Sequence, residues 1–252
     1  MDFTDKIVLI TGGSRGIGAA ISTAFAERGG IVAINYRSKH HVAEKLAKSL
    51  PGEGHELFQA DIATAPACSA LVESVVARYG RIDVLINNAA IHERHPIDQI
   101  SYEDWNRVFE ETIQIDLLAP SRLMYLTARQ MMKQGGGRIV NISSRGAFRG
   151  EPDQPAYGAS KAGLNAMSQS LAQKLAPYGI SIGLVAPGFV QTDMVKDLLE
   201  GPSGDSIRTQ SPFNRVAKPE EVAYAALFLA STEAGFSSGA IIDVNGASYL
   251  RS

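Results

Sequence analysis

A lone cysteine, Cys68, leaves the chain unable to close an internal disulfide. That scarcity permits a reducing compartment, and Cys68 itself reads as a small buried residue. Basic charge is not in excess either: 24 Lys and Arg stand against 26 Asp and Glu, a formal net charge of −2 with a pI near 6.2. The balance offers no electrostatic footprint for nucleic acid or an anionic membrane. No apolar run approaches the roughly 18 residues of a membrane span. The opening MDFTDKIVLITGG carries acids where a signal peptide has a basic n-region and a long apolar core. The expectation is a cytoplasmic protein without nucleic-acid or membrane partners. Nor do the five histidines form a ligand set. His40 and His41 are adjacent, His55 is isolated, and His92 and His95 flank a loop without the cysteines or carboxylates that a zinc site needs. No metal is expected, and the His92/His95 pair suits a loop near a substrate mouth or simple exposure. Repeats, low-complexity tracts and linkers are also missing.

What is present is apolar residue in quantity, 45% of 252 residues, enough for a substantial core in one domain spanning 1–252. Short β-branched runs at Ile7–Ile10, Ile31–Asn35, Leu57–Ala60, Val84–Asn87, Arg138–Ile142, Ile180–Val185 and Ala240–Val244 read as strands. Most are too apolar to own a wet face, the signature of a parallel sheet covered on both sides. Between them Ile17–Arg28, His41–Ser49, Ala67–Tyr79, Tyr102–Lys133, Tyr157–Ala176 and Pro219–Ala230 read as helices. Repeated βα units imply a single-domain, doubly wound α/β (Rossmann) fold with a seven-stranded parallel sheet. One long irregular stretch, 188–218, is a candidate mobile lid.

In such a sheet ligands sit beyond the carboxyl ends of the strands, so the first βα turn is informative. It reads Thr11-Gly12-Gly13-Ser14-Arg15-Gly16-Ile17-Gly18. Glycines there allow a tight turn and close approach of backbone N–H groups to a pyrophosphate. Gly12, Ser14, Arg15, Gly16, Ile17 and Gly18 are therefore candidate cofactor residues. The second strand ends Asn35-Tyr36-Arg37-Ser38, with no acid to accept from a ribose 2′-OH. Arg15 and Arg37, with the Ser38 hydroxyl and Tyr36 alongside, make a clamp for a 2′-phosphate. NADP(H) is the preferred cofactor, with NAD(H) as the alternative.

The chemistry reads most strongly in Ser144–Lys161. Tyr157 and Lys161 are four apart, one helical turn from each other. An ammonium that close favours phenolate, which predicts a tyrosine pKa below its usual value of about 10 and a proton donor near neutral pH. Ser143 or Ser144, at the end of an apolar run, supplies a hydroxyl at a strand's carboxyl edge.

Together these stretches resemble the short-chain dehydrogenase/reductase family over essentially the whole chain: TGGSRGIG at 11–18, Asp61, NNAA at 87–90, Ser144, YGASK at 157–161, APG at 186–188 with Thr192, and the closing KPEEVA and SGAIIDVNG. The resemblance implies that Tyr157 is the general acid/base, that Lys161 lowers its pKa and holds the nicotinamide ribose, and that Ser144, thirteen residues before Tyr157, holds the substrate carbonyl. It further implies that Asn87, Asn88 and Ala89 shape the cofactor bed, that Asp61 and Ile62 meet the adenine, and that Pro187, Gly188, Val190 and Thr192 border the carboxamide. The implied reaction is hydride transfer between a nicotinamide and a ketone or secondary alcohol, with small-molecule carbonyl or alcohol substrates. The closest look is to the 3-oxoacyl-carrier-protein reductase-like group; sugar, polyol and steroid dehydrogenases share the core, and a non-catalytic dinucleotide sensor is the reading from another class.

There are departures. The family's asparagine of the fourth helix is replaced by Asp116 in Gln114-Ile115-Asp116-Leu117-Leu118, counting back from Ser144, whereas anchoring on Trp105 puts Thr112 there. An ionised Asp116 accepts but cannot donate, unless burial keeps it protonated. Arginines that would serve carrier docking are replaced by Gly135 and Tyr178, with Arg129, Lys133 or Arg149 as substitutes. Small residues at Gly158, Ala159, Ala162, Gly163 and Ala166 let another helix approach closely. Family members pair this helix and the one from Tyr102 across two-fold axes, which implies a homotetramer or homodimer.

Overall fold

The structure, a computed structural model, describes residues 1–251 apart from the side chain of Met194. Seven strands, β1 (Ile7–Ile10), β2 (Ile31–Tyr36), β3 (Glu56–Gln59), β4 (Val84–Asn87), β5 (Gly137–Ile142), β6 (Ile180–Pro187) and β7 (Ile241–Val244), form one sheet. Every pairing is parallel, in the order β3-β2-β1-β4-β5-β6-β7. The winding reverses between β1 and β4, which opens a crevice at their carboxyl ends. All seven expected strands are present, with β6 carried on to Pro187 and β3 and β7 each displaced by one residue at one end or both.

Strand alternation explains how fully apolar runs serve two cores. Val8, Ile10, Val84, Ile86, Val140 and Ile142 face one side, where α1 (Gly16–Ala26) and α10 (Pro219–Ala230) bring Ile21, Phe25, Val222 and Ala226 onto them. Ile7, Leu9, Leu85, Ile139 and Ile182 face the other. There α3 (Ala65–Tyr79), α5 (Ala119–Gln134) and α7 (Pro155–Leu175) contribute Leu71, Val75, Leu123, Met124 and Leu164. The helix α2 (His40–Ser49) packs over β2 and the edge strand β3 and buries only Ala43.

The single long helix expected over Tyr102–Lys133 is interrupted. It runs as α4 (Tyr102–Ile113), a π-helical turn over Gln114–Leu118, and then α5. The cause lies at Pro120, which has no N–H for the carbonyl of Asp116 four residues back and whose ring crowds that carbonyl. The ladder widens instead, and Ala119 N–H reaches back to the Gln114 carbonyl. Asp116 is turned to the interior, fully buried.

The stretch 188–218, read as irregular, holds short helical pieces: a 3₁₀ turn at Asp193–Val195, α8 (Lys196–Glu200) and α9 (Gly204–Arg208), with α6 (Gly146–Arg149) a further unexpected turn before them. Its two ends are tied where Gln191 N–H donates to the Ala217 carbonyl and Ala217 N–H to that of Phe189. Arg215 grips Glu221, pulling its carboxyl down to about 2, so the last turn before α10 is ionically pinned. No helix of the described residues is long and apolar enough to cross a membrane.

Phe25 is fully buried on α1 and meets Phe3 edge-on at 4.6 Å. Truncation by Phe25→Ala should lower unfolding free energy by about 3–5 kcal/mol, read from urea midpoints at constant slope.

Candidate active site

A cleft of about 590 Å³ opens at the carboxyl ends of the strands, and its lining runs from the first βα turn to the inner end of α7. Gly12 (φ +59°) and Gly16 (φ +51°) hold the left-handed conformation that the turn requires. At Gly18 a Cβ would stand 2.2 Å from the Gly12 carbonyl oxygen, so only glycine lets α1 start so close beneath the loop. The loop is clamped to β4's end: Asn88 and Ala89 N–H donate to Thr11 Oγ1 at 3.0 and 3.1 Å, and Asn88 Nδ2 donates to the carbonyls of Thr11 and Gly12 at 2.9 and 3.2 Å. The first N–H groups of α1 have no helical acceptor and are available to an anion.

Gly12, Ser14, Arg15, Gly16, Ile17, Gly18, Tyr36, Arg37, Ser38, Asp61, Ile62, Asn88, Ala89, Pro187, Gly188, Val190 and Thr192 all line this cleft. Arg15 and Arg37 are exposed there, and neither forms an ion pair among the described residues. The Tyr36 hydroxyl is taken up by His40 Nδ1 at 2.7 Å. Asn87 departs from expectation. It is buried within β4, donates to Asn141 Oδ1 at 2.8 Å, and is absent from the cleft wall.

At the inner end stand Ser144, Tyr157 and Lys161, with His92 against them. Ser143 and Ser144 diverge: Ser143 is buried and donates to Asn165 Oδ1 at 2.6 Å, while Ser144 lines the cleft and its Oγ accepts from Gly146 N–H at 3.0 Å. The Lys161 side chain is buried and its ammonium donates to the Ile142 carbonyl at 3.2 Å. It lies 5.5 Å from the centre of the Tyr157 ring. Behind it, outside the cleft lining, Asp116 Oδ2 is 3.5 Å from Lys161 Nζ, ion-pair range but short of a hydrogen bond, and no hydrogen-bond donor reaches that oxygen. Asp116 Oδ1 accepts from Ile91 N–H at 2.9 Å. The π turn thus brings Asp116 to the lysine. Thr112, the other alignment's choice, is buried one turn earlier.

The pKa of Tyr157 corrects the sequence expectation. Burial pushes the phenol up and outweighs the lowering by Lys161; the Asp116 charge pushes it further up, and the Ser144 hydroxyl lowers it. Burial likewise raises the Asp116 carboxyl, against the opposing pull of Lys161 and the Ile91 N–H. His92 is held neutral, lowered first by burial and then by Lys161. Its ring meets Tyr157 edge-on at 4.8 Å and its Nδ1 pairs with Gln154 Nε2 at 3.1 Å. His95 is fully buried rather than exposed or at the mouth: Nδ1 pairs with the Glu93 carbonyl, and Nε2 accepts from Ala156 N–H at 3.2 Å, capping the start of α7. No cluster of three metal-ligating side chains occurs among the described residues.

Sequence reasoning missed Arg145, Glu151, Gln154 and Ile115, which also line the cleft. Arg145, Glu151 and Gln154 lie inside Ser144–Lys161, and only their spacing from Ser144 and Tyr157 could have drawn notice.

The family model described as enoyl-(acyl carrier protein) reductase matches residues 12–247. Among curated proteins, an uncharacterised oxidoreductase of Thermotoga maritima is 38% identical over 98% of this chain and 99% of its own length. The 3-oxoacyl-(acyl-carrier-protein) reductase of Escherichia coli (strain K12) is 36% identical over 99% of this chain and 100% of its own. A D-threitol dehydrogenase of Mycolicibacterium smegmatis is 35% identical over 96% and 92%. Among solved structures, a dehydrogenase/reductase from Sinorhizobium meliloti 1021 superposes with a TM-score of 0.91 at 28% identity, covering 99% of this chain and 97% of that one.

Because the fold holds the Asp116 proton more tightly than the unfolded chain does, Asp116 favours folding most below the ordinary carboxyl value of about 3.9, and that contribution is lost as pH climbs through the folded value. Urea midpoints of the wild type should therefore fall relative to those of Asp116→Asn as pH rises above about 4. A pH-independent difference would mean that the carboxyl ionises as it does in water.

Proposed function

Since the chain belongs to the short-chain dehydrogenase/reductase family and its relatives include oxidoreductases acting between CH–OH and C=O groups, we propose that it is an NADP(H)-dependent ketone reductase with Ser144, Tyr157, Lys161 and Asp116 as its reactive set. The observation that carries the reading is the convergence of Ser144, Tyr157 and the buried Lys161 at the inner end of a glycine-edged cleft.

The residues fit a dinucleotide. The Gly12–Gly18 crossing has no room for a Cβ, and the exposed Arg15 and Arg37 have no ion-pair partner among the described residues, so they suit a pyrophosphate and a 2′-phosphate respectively. Asp61 and Ile62 would border the adenine end, with Pro187, Gly188, Val190 and Thr192 at the nicotinamide end. When bound, the nicotinamide supplies or accepts the hydride. The chain's own groups handle the proton: Tyr157 delivers it to the carbonyl oxygen and Ser144 donates a hydrogen bond to the same atom. Lys161 supports the phenolate that results, its charge fixed by the Ile142 carbonyl and balanced by Asp116. Burial keeps the Tyr157 phenol protonated in the resting site, the form a proton donor needs, and the Lys161 charge eases the release of that proton.

A 3-oxoacyl thioester is one substrate class in keeping with the relatives, and a polyol is another, favoured by the resemblance to a D-threitol dehydrogenase. We further propose one catalytic domain over 1–252 with a lid at 188–218, and assembly through α4, α5 and α7 into a homotetramer. Ala159, Ala162 and Ala166 on α7 are exposed, as are Tyr102 and Tyr125 on the neighbouring helices. Gly163 is spent within the chain instead, packed on Leu117 of the π turn.

NADPH oxidation against a panel of ketones tests the activity. Tyr157→Phe should lower kcat by roughly 10²–10⁴-fold, and undiminished turnover would remove Tyr157 as the acid. Arg37→Ala should weaken NADPH binding by roughly tenfold or more and narrow its preference over NADH; equal NADPH affinity in the variant would remove that residue from the clamp. Sedimentation of the free protein as a monomer would overturn the assembly.

A further inference from the structure

Arg145 follows Ser144 directly and lines the same cleft, yet it is only 3% exposed. No carboxylate among the described residues lies within 4.0 Å of its guanidinium. Its hydrogen bonds go to neutral acceptors, Nη1 to Ser248 Oγ at 2.6 Å and Nη2 to Gln210 Oε1 at 2.7 Å, and the Phe189 ring covers it at 5.0 Å. The backbone is pinned as well, Arg145 N–H donating to the Pro187 carbonyl at 2.9 Å. Two of the five N–H groups of a guanidinium are thereby spent.

A tie between the lid at Gln210 and the turn at Ser248 needs hydrogen bonds but no charge. An ion taken out of water is expensive unless an opposite charge meets it. Burial presses the Arg145 pKa below the ordinary arginine value; the like charge of Arg149 adds to this, ahead of the opposing influence of Glu151. Lys161, the other buried cation of the inner cleft, has Asp116 beside it, and Arg145 has no such partner. The charge is therefore the unexplained part of the residue.

We propose that Arg145 receives a carboxylate of the substrate, so that the site prefers short oxo acids and the corresponding hydroxy acids over neutral ketones, thioesters and polyols. The inference rests on the reductase reading for the reacting carbonyl. Arginine suits the role because its planar fork accepts a carboxylate through two parallel N–H donors and keeps its charge in a dry site. Arg145 and Ser144 line one cleft, so a carboxylate held by the first and a carbonyl held by the second belong to a small molecule that fits it, which is why short acids are the class. Glu151, also in this cleft, disfavours anions that approach from its side and so adds to selection for one orientation.

The test compares acetoacetate with methyl acetoacetate and pyruvate with methyl pyruvate. NADPH oxidation reads turnover, and calorimetric titration into protein saturated with NADP⁺ reads binding without turnover. In the wild type at least one acid should exceed its ester tenfold or more in kcat/KM and bind more tightly. Arg145→Gln, which can still hydrogen-bond, should reduce that acid-to-ester ratio at least tenfold, and Arg145→Lys should reduce it less. Equal acid and ester values in the wild type would overturn the proposal without any variant. So would a fall in Arg145→Gln by the same factor for acid and ester, the mark of a tether alone. Acid binding that depends on Arg145, with no ketone or acid turned over, would uphold the anion site and sink the reductase reading. Ketone turnover without acid preference would do the reverse.

Discussion

A lysine ammonium removed from water has to be surrounded by acceptors and countercharge, and the inner half of this molecule is arranged to do that for Lys161. Carried on α7, its Nζ meets two other elements: the end of β5 through the Ile142 carbonyl and the π turn through Asp116. Loss of either would leave the buried ion with less compensation. The requirement therefore ties β5, α7 and the π turn to one point. It also places Tyr157 one turn away, over the same charge.

The outer half answers to a different constraint, close approach of backbone to an anion. Gly12, Gly16 and Gly18 let the first turn lie flat on α1, and Asn88 with Thr11 fastens that turn to β4 across the reversal of the winding. The two constraints are joined through Asp116, whose second oxygen accepts from Ile91 just beyond the NNAA stretch. A change at the lysine thus reaches the wall of the cofactor cleft through one residue.

Several features escaped sequence reading for identifiable reasons. The break in the long helix was legible in principle, since Pro120 inside a helical pattern must free the carbonyl of Asp116; period and amphipathicity simply outvoted it. The direction of the Tyr157 shift was not legible. Spacing reveals the lysine but not the burial that overrides it, nor the carboxylate on its far side. His95 lies in a loop as expected, but it is buried there and caps α7, whereas loops are usually wet. Asn87 and Asn88 are neighbours with opposite fates, because strand alternation sends one into the core and the other to the turn.

Local chemistry written in the sequence was sufficient for the doubly wound sheet and the glycine turn, and it set Tyr157 and Lys161 one helical turn apart. Period, turn residues and spacing along one helix are properties of neighbouring residues, and they survive without knowledge of the rest of the chain. Which charges are dry, and what meets them, was decided only when distant elements closed on one another. Asp116 became the countercharge of Lys161, and Arg145 became a buried cation held by Gln210 and Ser248, because desolvation depends on everything packed around a group and on nothing visible at the residue itself.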